Sequence, residues 1–225
     1  SSVELETSKQ LARLRDLCAG DGERLDLLEA ALALSALRHD DTVDLAPYRL
    51  HVAAMSADLA NLVRRRGASP ESLAEVLAQS YAYRGDSETY DDLQNADLPR
   101  GIERRQGLPG ALAIFYLHIA RAQGWNAEGL AFPGHFLLRV EIDGARHVVD
   151  PFHDGCVRDA ADLRNLLRQV LGPTAELRPT HFDPVSDREV LLRLENNVRL
   201  RLVKREEWTG AAQSLDRMLA IAPDR

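Results

Sequence analysis

A histidine and an aspartate, fifteen positions apart, form the residue pair in this sequence best suited to chemistry. His135 and Asp150 lie in the segment PGHFLLRVEIDGARHVVDPF, where apolar and polar residues alternate on each side of Asp143-Gly144. Alternation is typical of half-buried strands, and Asp-Gly is a strong signal for a two-residue hairpin turn. The segment is therefore predicted to form a β-hairpin that carries the histidine on one strand and the aspartate on the other.

The register of this hairpin decides whether the two side chains can meet. A two-residue turn pairs Ile142 with Ala145, and counting back places Leu137 opposite Asp150. Side chains two positions apart on a strand share a face, so His135 lies on the same face as Leu137 and Asp150. The histidine and the aspartate are expected to be diagonal neighbours, with Cα atoms roughly 7–8 Å apart.

Such a pair can serve chemistry or structure. A carboxylate that binds one imidazole nitrogen fixes the tautomer of the ring, which leaves the other nitrogen free to accept a proton. A base oriented in this way can activate a nucleophile or a water molecule. A buried histidine is also often satisfied by a carboxylate with no role in catalysis. The residues alone leave both interpretations of His135 and Asp150 open.

The same region is rich in groups that bind metals. Within twenty-two positions the sequence contains His135, His147, Asp150, His153, Asp154 and Cys156. In the predicted register His147 lies opposite Val140 and faces away from His135, and the spacing matches no standard zinc motif. We therefore expect neither a metal site nor another cofactor.

Composition limits the class of partner. The chain has 225 residues and a formal net charge of −7, which argues against nucleic acid. It has no apolar run of about 18 residues that could cross a membrane, and its first thirty residues do not resemble a signal peptide. The two cysteines, Cys18 and Cys156, are too few for a disulfide framework and are expected to pack as small apolar residues. We expect a cytoplasmic protein.

Hydrophobic periodicity divides the chain into three parts. Residues 1–82 show apolar side chains at three- to four-residue spacing and are predicted to be a helical region. Residues 83–185 contain a loop of turn formers and acids, a strongly apolar core helix and the predicted β-hairpin. Residues 186–225 are predicted to form two helices, either an ordinary helical hairpin or one tetratricopeptide repeat.

Four stretches of the sequence resemble the SirB1 family, a bacterial group of the transglutaminase-like superfamily. They are YRGDSETYDDLQNADL, ERRQGLPGALAIFYLHIARAQGW, FPGHFLLRV and VVDPFHDG. The resemblance covers roughly residues 75–222. It implies an α+β fold with a helical N-terminal region, a papain-like core that contains a small antiparallel sheet, and a C-terminal helical hairpin of the tetratricopeptide type.

The resemblance also implies a catalytic triad with one member missing. In the superfamily, a cysteine at the start of a core helix is followed by a histidine on one strand and an aspartate on the next. The last two roles fall to His135 and Asp150. The cysteine position falls at Pro109 or Gly110, neither of which can act as a nucleophile. No Cys, Ser or Thr occurs between residues 107 and 113.

Without a nucleophile, the acyl-enzyme route of the superfamily is closed. The resemblance then implies a non-catalytic module whose cleft binds a protein or peptide. The alternative is a hydrolase in which a His-Asp dyad activates water without a covalent intermediate. Residues of the loop and of the segment before the core helix are candidates for lining the cleft: Tyr83, Asp86, Tyr90, Asn95, Glu103 and Arg104.

Overall fold

The computed structural model describes residues 2–38, 44–85, 102, 104–107 and 109–224. These residues form helices before and after a small antiparallel sheet, so the predicted α+β class is confirmed. No helix in these ranges is long and apolar enough to cross a bilayer.

The N-terminal part of the chain is helical, as the periodicity predicts. Its helices are α1 (Ser2–Leu17), α2 (Leu27–Arg38), α3 (Ala46–Arg66) and α4 (Glu71–Ala74), which continues as a π-helical segment over Glu75–Ser80. Between α1 and α2 the chain turns at Gly20 and Gly22, whose φ angles of 90° and 76° favour glycine. The π-helical segment is not predicted by the sequence, because apolar spacing does not separate one helical hydrogen-bond pattern from another.

A core helix and the strands follow. Two very short strands, β1 (Arg84–Gly85) and β2 (Gln106–Gly107), pair in parallel just before the core helix, α5 (Pro109–Ala122). The antiparallel sheet in the described part of the chain has the order β6-β5-β4-β3-β7. Its strands are β3 (Asn126–Phe132), β4 (His135–Ile142), β5 (Ala145–Asp150), β6 (Cys156–Arg158) and β7 (Pro184–Val185). The last two are too short to show alternation in the sequence.

Three more helices complete the described chain: α6 (Ala160–Leu171), α7 (Asp187–Lys204) and α8 (Trp208–Ile221). At the start of α6, the Asp159 carboxylate accepts the backbone N–H of Asp162 at 2.8 Å, and the Asp162 carboxylate accepts that of Asp159 at 3.2 Å. This reciprocal capping explains why α6 begins there. Helices α7 and α8 form the predicted hairpin, and its assignment to a tetratricopeptide repeat stays a prediction.

The main apolar core lies between α5 and one face of the sheet. Leu138 and Val140 of β4 belong to this core, together with residues of the N-terminal helices, α5, α7 and α8. Leu137 points to the other face, where it packs with Leu163 and Leu167 of α6 in a smaller cluster. The alternation predicted for β4 therefore serves two apolar layers rather than one apolar and one solvated face.

Two buried carboxylates of α7 join distant parts of the chain. Asp187 accepts two hydrogen bonds from Arg121 of α5, at 2.8 and 2.9 Å. Glu195 accepts from Arg38 of α2 at 2.6 Å and from Arg217 of α8 at 3.1 Å. Both carboxylates are fully buried, so these donors compensate for the lost hydration of the charges.

Candidate functional site

His135 is the first residue of β4, directly after the tight turn that follows β3. It pairs with Phe132 across the ladder, and the two rings lie 6.4 Å apart between centroids. Phe132 packs in the smaller apolar cluster, on the face of the sheet that α6 covers. Because residues directly opposite each other in a ladder share a face, His135 lies on that face too. Its half-buried ring also lies 6.3 Å from the ring of His153.

The predicted register of the hairpin is confirmed. The ladder pairs Ile142 with Ala145 and continues to Leu138 opposite Val149. Asp150 is the last residue of β5, and on the other side of this strand it pairs with Cys156 of β6. The aspartate is therefore fixed by two neighbouring strands, and only 1% of its surface is exposed.

The hydrogen-bond partners of Asp150 differ from those that the sequence suggests. Its Oδ2 accepts from Nδ1 of His153 at 2.9 Å. The same oxygen accepts from Nε and Nη2 of Arg158 at 3.1 and 2.8 Å. Within the described residues, no hydrogen bond joins Asp150 to His135. Asp150 thus orients the imidazole three residues later in the chain.

The protonation of His135 follows from its surroundings. Burial lowers the pKa of His135 below the usual value of 6.5, and the nearby charge of Asp150 acts in the opposite direction. The permanent positive charge of Arg158 and the neighbouring His153 lower this pKa further. His135 is therefore a neutral ring at pH 7, and the carboxylate does not fix its tautomer by a direct contact.

The first turn of α5 offers no nucleophile. The helix begins at Pro109, and proline suits a first helical position because its missing N–H would be unpaired there. Ala111 and Ala113 are buried against the core. The partial positive charge of a helix N-terminus could stabilise a thiolate, but no thiol or hydroxyl occurs in this turn.

A buried tyrosine lies beneath the turn that follows Asp150. The hydroxyl of Tyr116 has no hydrogen-bond partner among the described residues, and burial raises its pKa above the usual range. A Cβ atom on Gly155 would lie 2.5 Å from this hydroxyl, and the φ angle of Gly155 is 67°. Both the space and the backbone conformation therefore require glycine at this position. The apolar pattern of α5 predicts Tyr116 only as a core residue.

The candidate binding residue Tyr83 lies in the core. Its hydroxyl is 2.8 Å from Nε2 of His51 and accepts from Nη1 of Arg105 at 3.1 Å. The Arg105 guanidinium also lies over the rings of Tyr83 and Tyr81, at 5.2 and 5.8 Å from their centroids. These contacts stabilise the start of β1 and the residue before β2, so they give Tyr83 a structural role.

The other candidate binding residues are placed only in part. Arg104 is half-buried. Asp86, Tyr90, Asn95 and Glu103 lie outside the described residues, and their role in the cleft stays a prediction.

The turn after Asp150 packs closely against β1. The one-turn 3-10 helix Pro151–His153 contacts both β1 and α5. A Cβ atom on Gly85 would lie 2.5 Å from the carbonyl oxygen of Phe152, so the two backbones approach too closely for any other residue. Arg84 and Asp154 also form an exposed ion pair at 3.7 Å. The turn is thus held against β1 and α5 as well as by the strands that it joins.

The sequence reasoning considered His153 only as a possible metal ligand, and it did not consider Arg158. A signal exists in the segment DPFHDG, because proline after Asp150 favours a tight turn that brings residue i+3 back toward the aspartate. Within the ranges that the structure describes, no group of three or more His, Cys, Asp or Glu side chains could hold a metal ion.

Comparisons with known proteins show the family to which the chain belongs. Residues 47–196 match the model of the transglutaminase-like superfamily. A UPF0162 protein of Xylella fastidiosa is 32% identical over 93% of this chain and 76% of its own length. F-box only protein 21 of Homo sapiens is 30% identical over 69% of this chain and 26% of its own length.

Protein SirB1 of Salmonella typhimurium is 25% identical over 68% of this chain and 58% of its own length. No solved structure matches the chain. The family model covers two thirds of the chain, and it spans the core helix and both strands that carry His135 and Asp150. The chain therefore belongs to the transglutaminase-like superfamily, within its SirB1-like family.

Proposed function

We propose that this chain is a non-catalytic transglutaminase-like module that binds a protein or a peptide. The observation that carries the proposal is the first turn of α5, where residues 107–113 include no Cys, Ser or Thr. Acyl transfer in this superfamily needs a nucleophile at that position. The cleft around the strands can survive the loss of the nucleophile, because β4, β5 and α5 are held by the core rather than by the reacting groups.

The contacts of Asp150 bear on the alternative, a dyad that activates water. Arg158 and His153 bind its Oδ2, and the side chain is almost completely buried. A dyad that activates water without further help contributes a factor of only about 10²–10⁴, and additional electrostatic stabilisation would have to come from elsewhere in the site. The missing nucleophile, rather than these contacts, leads us to favour binding over hydrolysis.

The human relative supports the idea of a module. The similar region makes up 26% of F-box only protein 21, so there it is one part of a longer protein. A segment found within a longer protein can act as one of its modules, and its role must be argued from its own surfaces. We extend only this modular character to the present chain.

The hairpin of α7 and α8 adds a second surface that suits a protein partner. A groove of about 390 Å³ lies between the two helices, and its apolar lining is formed by Leu192, Leu215, Met218, Leu219 and Ala222. Leu215 and Leu219 are each 49% exposed, although they are large apolar residues one helical turn apart. Neighbouring exposed leucines on one helix face are typical of an interaction surface.

The first experiment is a screen for hydrolysis and acyl transfer with peptide, ester and amide reporters. Wild-type protein is compared with His135→Ala and His153→Ala. We expect background rates from all three proteins. Turnover by the wild type that disappears in either variant would contradict the proposal and would favour the water-activating dyad.

The second experiment is selection of peptides from a random phage-displayed library on the immobilised chain. A selected peptide is then titrated by calorimetry into wild type, His135→Ala and the double variant Leu215→Asp/Leu219→Asp. Loss of affinity in one variant assigns the peptide to the cleft or to the hairpin groove. Failure to select any peptide, with turnover in the reporter screen, would reject a binding function.

A further inference from the structure

We propose that His153, rather than His135, is the proton-accepting side chain of this site. Its Nε2 would receive an uncharged N–H or O–H donor of a bound peptide, and Asp150 would be its positioning residue. The identity of the ligand rests on the proposed binding function. The tautomer of the His153 ring does not depend on that function, and it can be tested without any ligand.

The first step of the argument is the contact between Nδ1 of His153 and Oδ2 of Asp150, at 2.9 Å. An ionised carboxylate can only accept hydrogen bonds, so the proton of the neutral ring must be on Nδ1. Arg158 donates two charge-assisted hydrogen bonds to the same oxygen, which uses it as an acceptor only. The lone pair of His153 is consequently on Nε2.

The second step is access. The side chain of His153 is 49% exposed, whereas those of Asp150 and Arg158 are 2% and 18% exposed. Asp150 and Arg158 are therefore largely buried, and the His153 ring is the part of this cluster that a ligand can reach. The rings of Phe152 and His153 are nearly perpendicular, with centroids 5.5 Å apart, and this contact limits rotation of the His153 ring.

The third step concerns the kind of ligand. The nearby charges compensate each other, because Arg158 pairs with Asp150, and Arg84 pairs with Asp154. The centroid of the neutral His135 ring lies 6.3 Å from that of His153, which places a second uncharged polar ring beside it. A peptide segment with a free amide or hydroxyl donor fits this surface better than a charged ligand does.

His181 provides an internal reference with the opposite tautomer. Its Nδ1 accepts the backbone N–H of Arg178 at 3.0 Å, so its proton must be on Nε2. His153 and His181 are therefore expected to carry their protons on different ring nitrogens, and one experiment on the wild-type protein can compare them.

The test of the tautomer is nitrogen NMR of protein labelled with ¹⁵N-histidine, recorded at pH 8, well above the usual histidine pKa of about 6.5. We expect His153 to carry its proton on Nδ1 and His181 to carry its proton on Nε2. Assignment uses His153→Gln and, as a matched control from β5, His147→Gln. A proton on Nε2 of His153, or fast exchange between both forms, would overturn the proposal.

The test of the accepting nitrogen is carbethoxylation by diethyl pyrocarbonate, followed by mass spectrometry of peptides. Nε2 attacks one carbonyl of the reagent, and the C–O bond to the ethyl carbonate leaving group breaks. The ring then loses its Nδ1 proton, while ethyl carbonate takes up a proton and decomposes to ethanol and carbon dioxide. We expect His153 to react several-fold faster than His135 and His181.

Equal or slower reaction of His153 would show that its Nε2 is not the available nitrogen and would reject the proposal. Both tests can succeed while no peptide is ever selected, and in that case the proposed binding function fails alone. Conversely, a peptide that binds wild type and His153→Gln equally, but not His135→Ala, would keep the binding function and reject the role of His153.

Discussion

Arg121 and Asp187 form a two-pronged ion pair, with Nη1 at 2.8 Å from Oδ2 and Nη2 at 2.9 Å from Oδ1. Arg121 lies in the last turn of the core helix α5, and Asp187 is the first residue of α7. The backbone N–H of Leu25, just before α2, donates to the same carboxylate at 2.7 Å. The N-terminal helices, the core and the C-terminal hairpin therefore meet at one buried side chain.

Loss of this carboxylate should destabilise the whole protein. Breaking a buried ion pair by changing one partner costs about 3–5 kcal/mol, because the other charge is left without compensation. We expect Asp187→Asn to lower the free energy of unfolding by about this amount in urea titrations. Its control is Glu176→Gln, because Glu176 is 73% exposed in its ion pair with Arg168 and should contribute less than about 1 kcal/mol. Similar effects of the two changes would contradict the role given to Asp187.

A substitution at Gly85 should disturb the turn that carries His153. A Cβ atom there would lie 2.5 Å from the backbone oxygen of Phe152, which cannot move without shifting the turn. We expect Gly85→Ala to cost about 1–3 kcal/mol in denaturant unfolding. Gly210→Ala is the matched change, because a Cβ atom on Gly210, in α8, would meet only ordinary contacts with Leu202 at 3.4 Å or more. This control should be neutral or stabilising by about 0.5–1 kcal/mol. A neutral Gly85→Ala would show that β1 and the turn are not tightly packed.

Stability should fall as the solution becomes mildly acidic. Burial lowers the pKa of His51, His118 and His135 below the usual value of 6.5. Between that value and the lower folded-state values, the unfolded chain binds protons that the folded chain does not. The stabilisation is therefore fully present above pH 6.5 and is lost as the pH falls through the folded-state pKa values. Unfolding free energies measured from pH 7.5 to pH 5 should show this decrease.

The contribution of one of these histidines can be separated. The Nε2 atom of His51 lies within hydrogen-bond distance of the Tyr83 hydroxyl and of Arg105, so glutamine can replace it as an acceptor without titrating. We expect His51→Gln to fold normally and to show a shallower decrease of stability with falling pH. An unchanged slope would mean that His51 is protonated equally in the folded and unfolded states.

The two thiols should differ strongly in reactivity. Burial raises the pKa of Cys18 to about 11, although Arg188 acts in the opposite direction. At pH 8 only roughly one such thiol in a thousand is ionised, and only the thiolate reacts readily. Burial also raises the pKa of Cys156, but this side chain is partly accessible. With Ellman's reagent, we expect one slow equivalent from the native protein, absent in Cys156→Ser, and a second equivalent only after unfolding. Two equivalents from the native protein would contradict the burial of Cys18.

The sequence predicts those parts of the site that depend on local patterns. The turn at Asp143-Gly144 and the alternation along β4 determine the hairpin register, because both signals come from adjacent residues. The absence of a nucleophile between residues 107 and 113 is read directly from the chain. The helical N-terminal region follows from the apolar spacing of its residues.

The partner of Asp150 could not be predicted in the same way. Its contact with His153 depends on the one-turn helix after β5, and its contact with Arg158 depends on β6, which has only three residues. A strand this short has no periodicity to recognise. The structural role of Tyr83 likewise depends on His51, thirty-two positions earlier, and on Arg105, twenty-two positions later. Such contacts come from tertiary packing, which a pattern along the chain does not contain.

The carboxylate of Glu195 has a consequence for how this sequence can change over evolutionary time. Arg38 and Arg217 come from helices near opposite ends of the chain, yet both bind the same buried carboxylate. A neutral residue at position 195 would leave two guanidinium groups facing each other in the core, and the pKa of Arg217 is already lowered by burial and by Arg38. The order of substitutions is therefore constrained: an arginine must be replaced before the glutamate can be. Positions 38, 195 and 217 are expected to change together among descendants of this protein, although they are far apart in the sequence.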